Sequence, residues 1–424
     1  MTIAVIGMLD EREEGLRLIK EQVEYQDHET ILMDISIGTG AIESGLTPDI
    51  DSNMIAQAGG AEIEGVRQML AKQRDQATAT MADGLGKKLV ELHRKGKIRG
   101  VIAVGGMTGT FICLSAMKRL PFGMPKLMIS SVAAMPAYAK KLSEFFGVRD
   151  ITVMHSVVDT VGMNPLVRGL MRNGAGAICG MVDAGEPERD KARPSIALTE
   201  FGFCDKGAHY VRERLDSEFD TISFHATGIG EKAAVDLVGQ GLFEAFIDMV
   251  PGGFSEYLLG GNRSAGPDRL DAGIEQGKPY IMTPCGFDMI SCGPIQRRDD
   301  KDPLWTSRKL AERKLLLQDA VRVQARTNIE ECQLIAHEVA EKLNLCPDKK
   351  LIKFVIPLRG FSSISVEGGV LYEPESDKAF INALKAKLDS AIDIVEVDTH
   401  INTPEFADAV VDALYRAMKA SPDA

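Results

Sequence analysis

The sequence predicts an α/β protein of two doubly wound, Rossmann-like domains with mainly parallel sheets. Three observations carry that expectation. Short runs rich in Val and Ile alternate with segments of helical period, the pattern of βαβ units. The alternation breaks at a charged, Pro-containing stretch and then restarts. The 424 residues also exceed the roughly 250 to 300 at which a single core stops growing.

In the first half, strands are predicted at Thr2 to Gly7, Thr30 to Ser36, Ile98 to Gly106, Lys126 to Ala133 and Ile151 to Val157. Between them, Glu11 to Gln26, Ala61 to Lys95, Thr110 to Leu120 and Pro165 to Gly180 carry apolar residues at helical spacing. Asp183 to Pro194, DAGEPERDKARP, has no apolar period and reads as a linker between domains 1–186 and 194–424. The second set of strands is Ser195 to Gly202, Thr221 to Gly228, Glu244 to Val250, Pro279 to Cys285, Leu351 to Pro357 and Ile392 to His400. Its helices are Lys206 to Leu215, Glu231 to Gly239, Trp305 to Leu345 with a break, and Pro404 to Lys419, where Thr403 precedes Pro404 as a cap. No short-period repeat is present.

An apolar share of 45% and a charged share of 26% are those of an ordinary globular protein, which argues against disorder and collagen-like structure. Met1 to Gly7 has no basic flank or small-residue cleavage site, so it reads as a buried strand. Gly, Pro or charge interrupts every apolar stretch before the roughly 20 residues that a bilayer span requires. A cytoplasmic protein without a membrane partner is expected. The seven cysteines form no C-x-x-C pair and read as reduced structural thiols. A net charge of −12 argues against nucleic acid as a partner. It does not argue against a nucleotide, because backbone amides hold phosphates without net positive charge.

The sharpest local signal is Val101 to Thr110, a buried strand that runs through Gly105, Gly106, Met107, Thr108 and Gly109 into a helix at Thr110. At such a strand exit the glycines let a phosphate approach the backbone, and the first-turn amides point at it. Thr108 and Thr110 offer hydroxyls to the phosphate or to Mg2+. The loop is neither G-x-G-x-x-G nor a Walker loop, and a tight turn with no ligand is the alternative.

Other residues fall at the same predicted sheet edge. Asp10 suits a magnesium ion or a helix cap, and Arg12 a phosphate or solvent. Ser130 and Ser131 suit a phosphate, a ribose or a cap, while Ser156, Asp159 and Asn164 follow the next strand with capping as their alternative. In the second half His225 precedes the small-residue loop Ala226 to Gly230 and suits general acid or base work, with a core role as the alternative. Glycine turns at Gly252-Gly253, Gly260-Gly261 and Cys285-Gly286 suit the lining of a cleft. His225, His400, Asp248, Glu256 and Asp288 supply metal-type donors without ligand spacing, so no metal site is expected.

Across almost the whole length, the chain resembles the family formed by the ATP-binding N-terminal domain of the tomato mosaic virus resistance protein and its bacterial homologues, otherwise uncharacterised. The resemblance rests on Asp34-Ile35-Ser36, Pro48-Asp49-Ile50, Gly105 to Thr110, Leu120 to Lys126, Ser156 to Asp159 and Gly180-Met181-Val182. It continues through His225 to Gly228, Gly286 to Met289 and His400-Ile401-Asn402. It implies an ATP site in the first domain, with the phosphates near Gly105. The family's first loop typically reads Gly-Thr-x-Asp-Thr-Lys, whereas this chain has Gly7-Met8-Leu9-Asp10-Glu11-Arg12. Met107-Thr108 stands where the family usually has Ser-Gly, and Ala134 and Met135 where it often has Ser and Gly.

The expected function is therefore binding of ATP, with or without Mg2+, by the Gly105 to Thr110 loop, with a ligand cleft between the two domains of a homo-oligomer. The competing reading is a metabolic enzyme acting on a small carboxylic or phosphorylated metabolite, with His225 as acid or base.

Overall fold

The computed structural model describes residues 1–185 and 193–421, and the chain divides into two compact units, Met1–Arg189 and Asp190–Ala424. Of the expected linker, residues 186–192 lie outside the described residues.

In the first unit the chain order is β1 (Thr2–Gly7), α1 (Leu9–Tyr25), β2 (Glu29–Asp34), α2 (Ser52–Ala58), α3 (Ile63–Met69) and α4 (Arg74–Arg94). It continues with β3 (Gly100–Gly105), α5 (Met107–Met117), β4 (Lys126–Ser130), α6 (Ala139–Phe146), β5 (Thr152–His155) and α7 (Pro165–Asp183). The five strands are all parallel, in the order β2-β1-β3-β4-β5. Strands β1 and β3 are buried along nearly their whole length, as their unbroken apolar runs require, because helices cover both faces. One face packs Ile3, Val5, Ile102 and Ile129 under α1 and α7. The other packs Ala4, Ile6, Val101 and Ala103 under α2, α4 and α5.

Most expected strands are shorter than the sequence suggests, β4 ending at Ser130 rather than Ala133, and two helices differ more. The helix expected over Ala61 to Lys95 is two helices, because the chain turns at Leu70 to Gln73. Gly84 then allows α4 to close on α2, since a Cβ there would stand 1.9 Å from the Ile55 carbonyl oxygen. Helix α5 starts at Met107, three residues before the expected Thr110, so most of the glycine loop is the first turn of a helix.

The second unit contains β6 (Ser195–Glu200), α8 (Asp205–Leu215), β7 (Asp220–His225), α9 (Ile229–Gly239), β8 (Ala245–Asp248), α10 (Gly252–Leu259) and α11 (Asp271–Glu275). It goes on through β9 (Tyr280–Met282), β10 (Met289–Ser291), α12 (Gln296–Asp299), α13 (Pro303–Ser307), β11 (Leu315–Leu317), β12 (Val323–Arg326) and α14 (Ile329–Asn344). It ends with β13 (Ile352–Pro357), α15 (Pro374–Lys387), β14 (Asp393–Val397) and α16 (Pro404–Lys419). Its six-stranded sheet, β14-β13-β9-β8-β6-β7, is again parallel throughout. Thr403 caps α16 as expected, its side chain accepting from the Phe406 amide.

The helical reading of Trp305 to Leu345 is corrected. Only α13 and α14 are α-helical there, and Leu315–Leu317 and Val323–Arg326 join Met289–Ser291 in a small antiparallel sheet, β10-β12-β11. Asp319 turns the chain between the last two strands by accepting from the Val321 and Arg322 amides. A short leucine run fits either period, so spacing alone cannot separate the two readings.

Beside this sheet, Arg326 is buried against the Asp288 carbonyl at 2.8 Å and forms an ion pair with Asp377. Burial pushes the Asp377 carboxyl up to about 6 despite the arginine, and the nearby Asp288 and Glu373 push the same way. A folded pKa above the unfolded value means that the folded state holds the extra proton between the two. This contribution is therefore fully present below about 4 and is lost as pH rises through 6. Between pH 5 and 7 the denaturation midpoint of wild type should fall more steeply with rising pH than that of Asp377→Asn; equal slopes would refute the assignment.

Candidate functional site

In a parallel sheet whose order reverses, the loops after the two strands flanking the reversal diverge to opposite faces and leave a crevice at the carboxyl edge. In the first unit these strands are β1 and β3. The crevice is bounded by Met8 to Arg12 and by Gly105 to Thr110, with the loops after β4 and β5 alongside.

Gly106 is the N-cap of α5 and no side chain caps this helix. Its first amides, at Met107, Thr108 and Gly109, have no carbonyl one turn back to accept them. Gly105 has no room for a side chain, because a Cβ there would lie 2.7 Å from the Thr110 nitrogen. Gly109 differs: it is buried, yet a Cβ would make only ordinary contact there, its nearest neighbour being the Val104 carbonyl oxygen at 3.9 Å.

Arg12 is the buried cation at this edge. It interrupts the helical geometry of α1 with φ −133°, and is only 5% exposed. Its Nε donates to Thr160 Oγ1 at 2.8 Å, Nη1 pairs with Glu11, and Nη2 lies 3.5 Å from Asp159. A Cβ on Gly106 would stand 2.7 Å from the same Nη2. One guanidinium therefore joins the loops after β1 and β5 and stands against Gly106 in the loop after β3.

The remaining expected residues divide into those that face the crevice and those that build its walls. Thr108 and Ser131 are half-buried at the edge. Thr110 and Ser130 are buried and bonded to each other at 2.8 Å; Thr110 also donates to the Gly105 carbonyl, and Ser130 accepts from the Val132 amide. Their hydroxyls thus fix the β3 and β4 exits. Ser156 is likewise buried, donating to the Val158 carbonyl at 2.6 Å. Asn164 is the cap of α7. Asp10 does not cap α1; its Oδ2 accepts from the Gly40 amide at 3.0 Å, while Oδ1 is buried without a hydrogen-bond partner. Its neighbour Asp34 has its carboxyl pushed up by burial, against the pull of hydrogen bonds from Ser36 and the Leu9 amide, with the Asp10 charge adding to the rise.

Two features were not legible in the sequence. Val157, though β-branched, has φ +64° and is 80% exposed. The Val158 amide closes the tight turn around it onto the Ser156 carbonyl at 2.6 Å. Such strain persists where surrounding structure imposes it. His155 stands exposed at the end of β5, with Nδ1 3.2 Å from the Ser130 carbonyl oxygen. The sequence HSVVD contains both residues, but neither residue type announces its role.

The second unit has the same kind of crevice between β6 and β8, and its own side chains fill it. Glu231 is 1% exposed; its carboxylate accepts from the Gly253 amide in the first turn of α10 at 2.8 Å and from the Gly228 amide before α9 at 3.1 Å. Arg269, also buried, donates through Nε to Glu231 at 2.8 Å and through Nη2 to Asp248 at 2.7 Å. Thr199 and Tyr280 complete the Asp248 carboxylate at 2.6 and 2.9 Å. Burial pushes the Glu231 carboxyl up, and Arg269 pulls against it.

His225 lies on the edge strand β7, exposed, with Nδ1 3.3 Å from Thr227 Oγ1. It is no core residue, and β6 separates it from Asp248. Among the described residues no three His, Cys, Asp or Glu side chains converge as a metal site, and no helix is long and apolar enough to cross a membrane. All seven cysteines are buried and unpaired, with the Cys113 thiol pushed up to about 12 by burial.

Removing Arg269 strands two buried carboxylates. Arg269→Met should therefore cost about 3–5 kcal/mol of stability. Adding Glu231→Gln and Asp248→Asn should recover part of it. Chemical denaturation of the three proteins checks this, and a loss below about 1 kcal/mol for the single variant would contradict the role given to the network.

Comparison with known proteins agrees with the two-unit architecture. The N-terminal domain of uncharacterised protein family UPF0261 matches residues 1–187, and its C-terminal domain matches residues 193–418. A UPF0261 protein of Clostridium tetani is 34% identical over 98% of this chain and 99% of its own length. A second, from Rhizobium meliloti, is 31% identical over 98% of each. The ToMV resistance protein Tm-1 of Solanum lycopersicum is 30% identical over 80% of this chain, a match that covers 44% of the tomato protein. The chain therefore belongs to protein family UPF0261, with both of its domains present.

Proposed function

We propose that the first unit binds a nucleotide, ATP with its Mg2+ in the first instance, with the phosphates on the first turn of α5. The observation that carries this reading is the contrast between the two crevices. In the second unit an internal carboxylate, Glu231, takes the amides of α10. In the first unit α5 starts with no side-chain cap and with a buried arginine beside it. Amides and the positive end of a helix favour an anion, and a polyphosphate matches both the amides and the arginine fork.

The residues fit the group. Met107, Thr108 and Gly109 would present backbone N–H groups, and Arg12 Nη2 a charge, while Ser131 would lie along the neighbouring strand exit. Magnesium would arrive on the phosphates, with Asp10, whose Oδ1 is buried without a hydrogen-bond partner, as an acid of the same loop. His225 carries no step in this reading: it stands exposed on the edge strand of the second unit, in contact with the Thr227 hydroxyl.

Mg-ATP at millimolar concentration should raise the melting temperature, because a ligand that binds only the folded state stabilises it by mass action. Gly109→Val should abolish the shift, and the free variant's own melting temperature shows that it still folds, since Gly109 is buried and a Cβ there meets only the Val104 carbonyl oxygen at 3.9 Å. If no member of a nucleotide panel shifts the wild-type transition, the reading is wrong.

A further inference from the structure

We propose that Asp159 is a built-in competitor for the anionic ligand of this crevice: its carboxylate pairs with Arg12 Nη2, and a ligand phosphate replaces it there. The inference rests on the nucleotide reading above and adds the device that sets its affinity.

The three nitrogens of Arg12 are not equally engaged. Nε has a 2.8 Å bond to the buried Thr160, and Nη1 is paired with Glu11. Among the described residues Nη2 pairs with the outer carboxylate Asp159 at 3.5 Å, longer than a charge-assisted hydrogen bond, and the Asp159 side chain is 71% exposed. That same nitrogen faces Gly106, the N-cap of α5. A phosphate on the α5 amides is thus within reach of the one guanidinium nitrogen that is loosely held. Nη2 has two protons, but two anions on one nitrogen repel each other, so a bound phosphate and the carboxylate work against one another and the more loosely held carboxylate gives way. Its departure costs little, since the Asp159 side chain faces water. The other two nitrogens keep the guanidinium in place, so that Arg12 is oriented before ligand arrives.

The test compares wild type, Asp159→Asn and Glu91→Gln by calorimetric titration with Mg-ATP and with sodium tripolyphosphate. Glu91 is an exposed acid near the far end of α4, where the chain approaches the start of β3, and controls for a general change in charge. Asp159→Asn should bind both probes at least about fivefold more tightly, a typical coupling between sites, and Glu91→Gln should match wild type. Equal or weaker binding by Asp159→Asn, or equal tightening by Glu91→Gln, overturns the competitor role while leaving the nucleotide reading intact. If none of the three proteins binds either probe, the nucleotide reading fails and the competitor role with it. Because Asp159 is exposed, its replacement leaves the fold in place, which the melting temperature of each variant verifies.

Discussion

A parallel sheet wound on both faces gathers the starts of its helices at one edge, and the unbonded amides there require an anion or water. The two units of this chain meet that requirement differently. In the second, Glu231 reaches the starts of α9 and α10 together, and Arg269 balances its charge. The arrangement is closed: Glu231, Asp248 and Arg269 are all buried. In the first, the start of α5 has no such carboxylate, and the positive group beside it adds to the helix field.

The buried arginines of the two crevices, Arg12 and Arg269, make the same contrast in electrostatic terms. Arg269 faces carboxylates that are themselves buried, so each charge offsets the desolvation of the other and neither is available to a ligand. Arg12 is as deeply placed, yet its counter-charge at Nη2 stands in water. A charge held in low dielectric with an exchangeable partner is the arrangement that lets a small anion bind without net positive charge on the protein. The overall charge of −12 therefore does not oppose a nucleotide, though it would oppose a long polyanion.

Much of this was legible in the sequence because the signals were local. Strand β1, strand β3 and helix α16 sit where apolar runs and a Thr-Pro cap put them, and βαβ alternation was enough for both parallel sheets. What was not legible depends on contacts distant in the chain. Thr110 and Ser130 read as ligand hydroxyls until the β3–β4 register brings them into a bond with each other. The Leu315–Leu317 strand needs its pairing with Val323–Arg326 before its period means anything. Glu231 read as the first residue of an ordinary helix, since only the folded chain brings Gly253 against its carboxylate. The pairing of Arg12 with Thr160, 148 residues away, has no sequence signal at all.

The first loop can now be read as one change instead of several. Where the family typically has Thr-Lys after its aspartate, this chain has Glu11-Arg12. A lysine offers one compact ammonium, which cannot hold Thr160 and face Gly106 from fixed directions at once. An arginine fork can, provided that its third nitrogen also finds an acceptor. Glu11 supplies that acceptor, and Thr39 in turn holds Glu11 through its other oxygen at 2.8 Å. The gained acid and the gained guanidinium are thus parts of a single brace, in which one substitution makes the other tolerable in a buried setting. The brace leaves Nη2 pointing at the start of α5. The departure from the family's loop therefore preserves a cation at the crevice and fixes its direction more tightly than a lysine would.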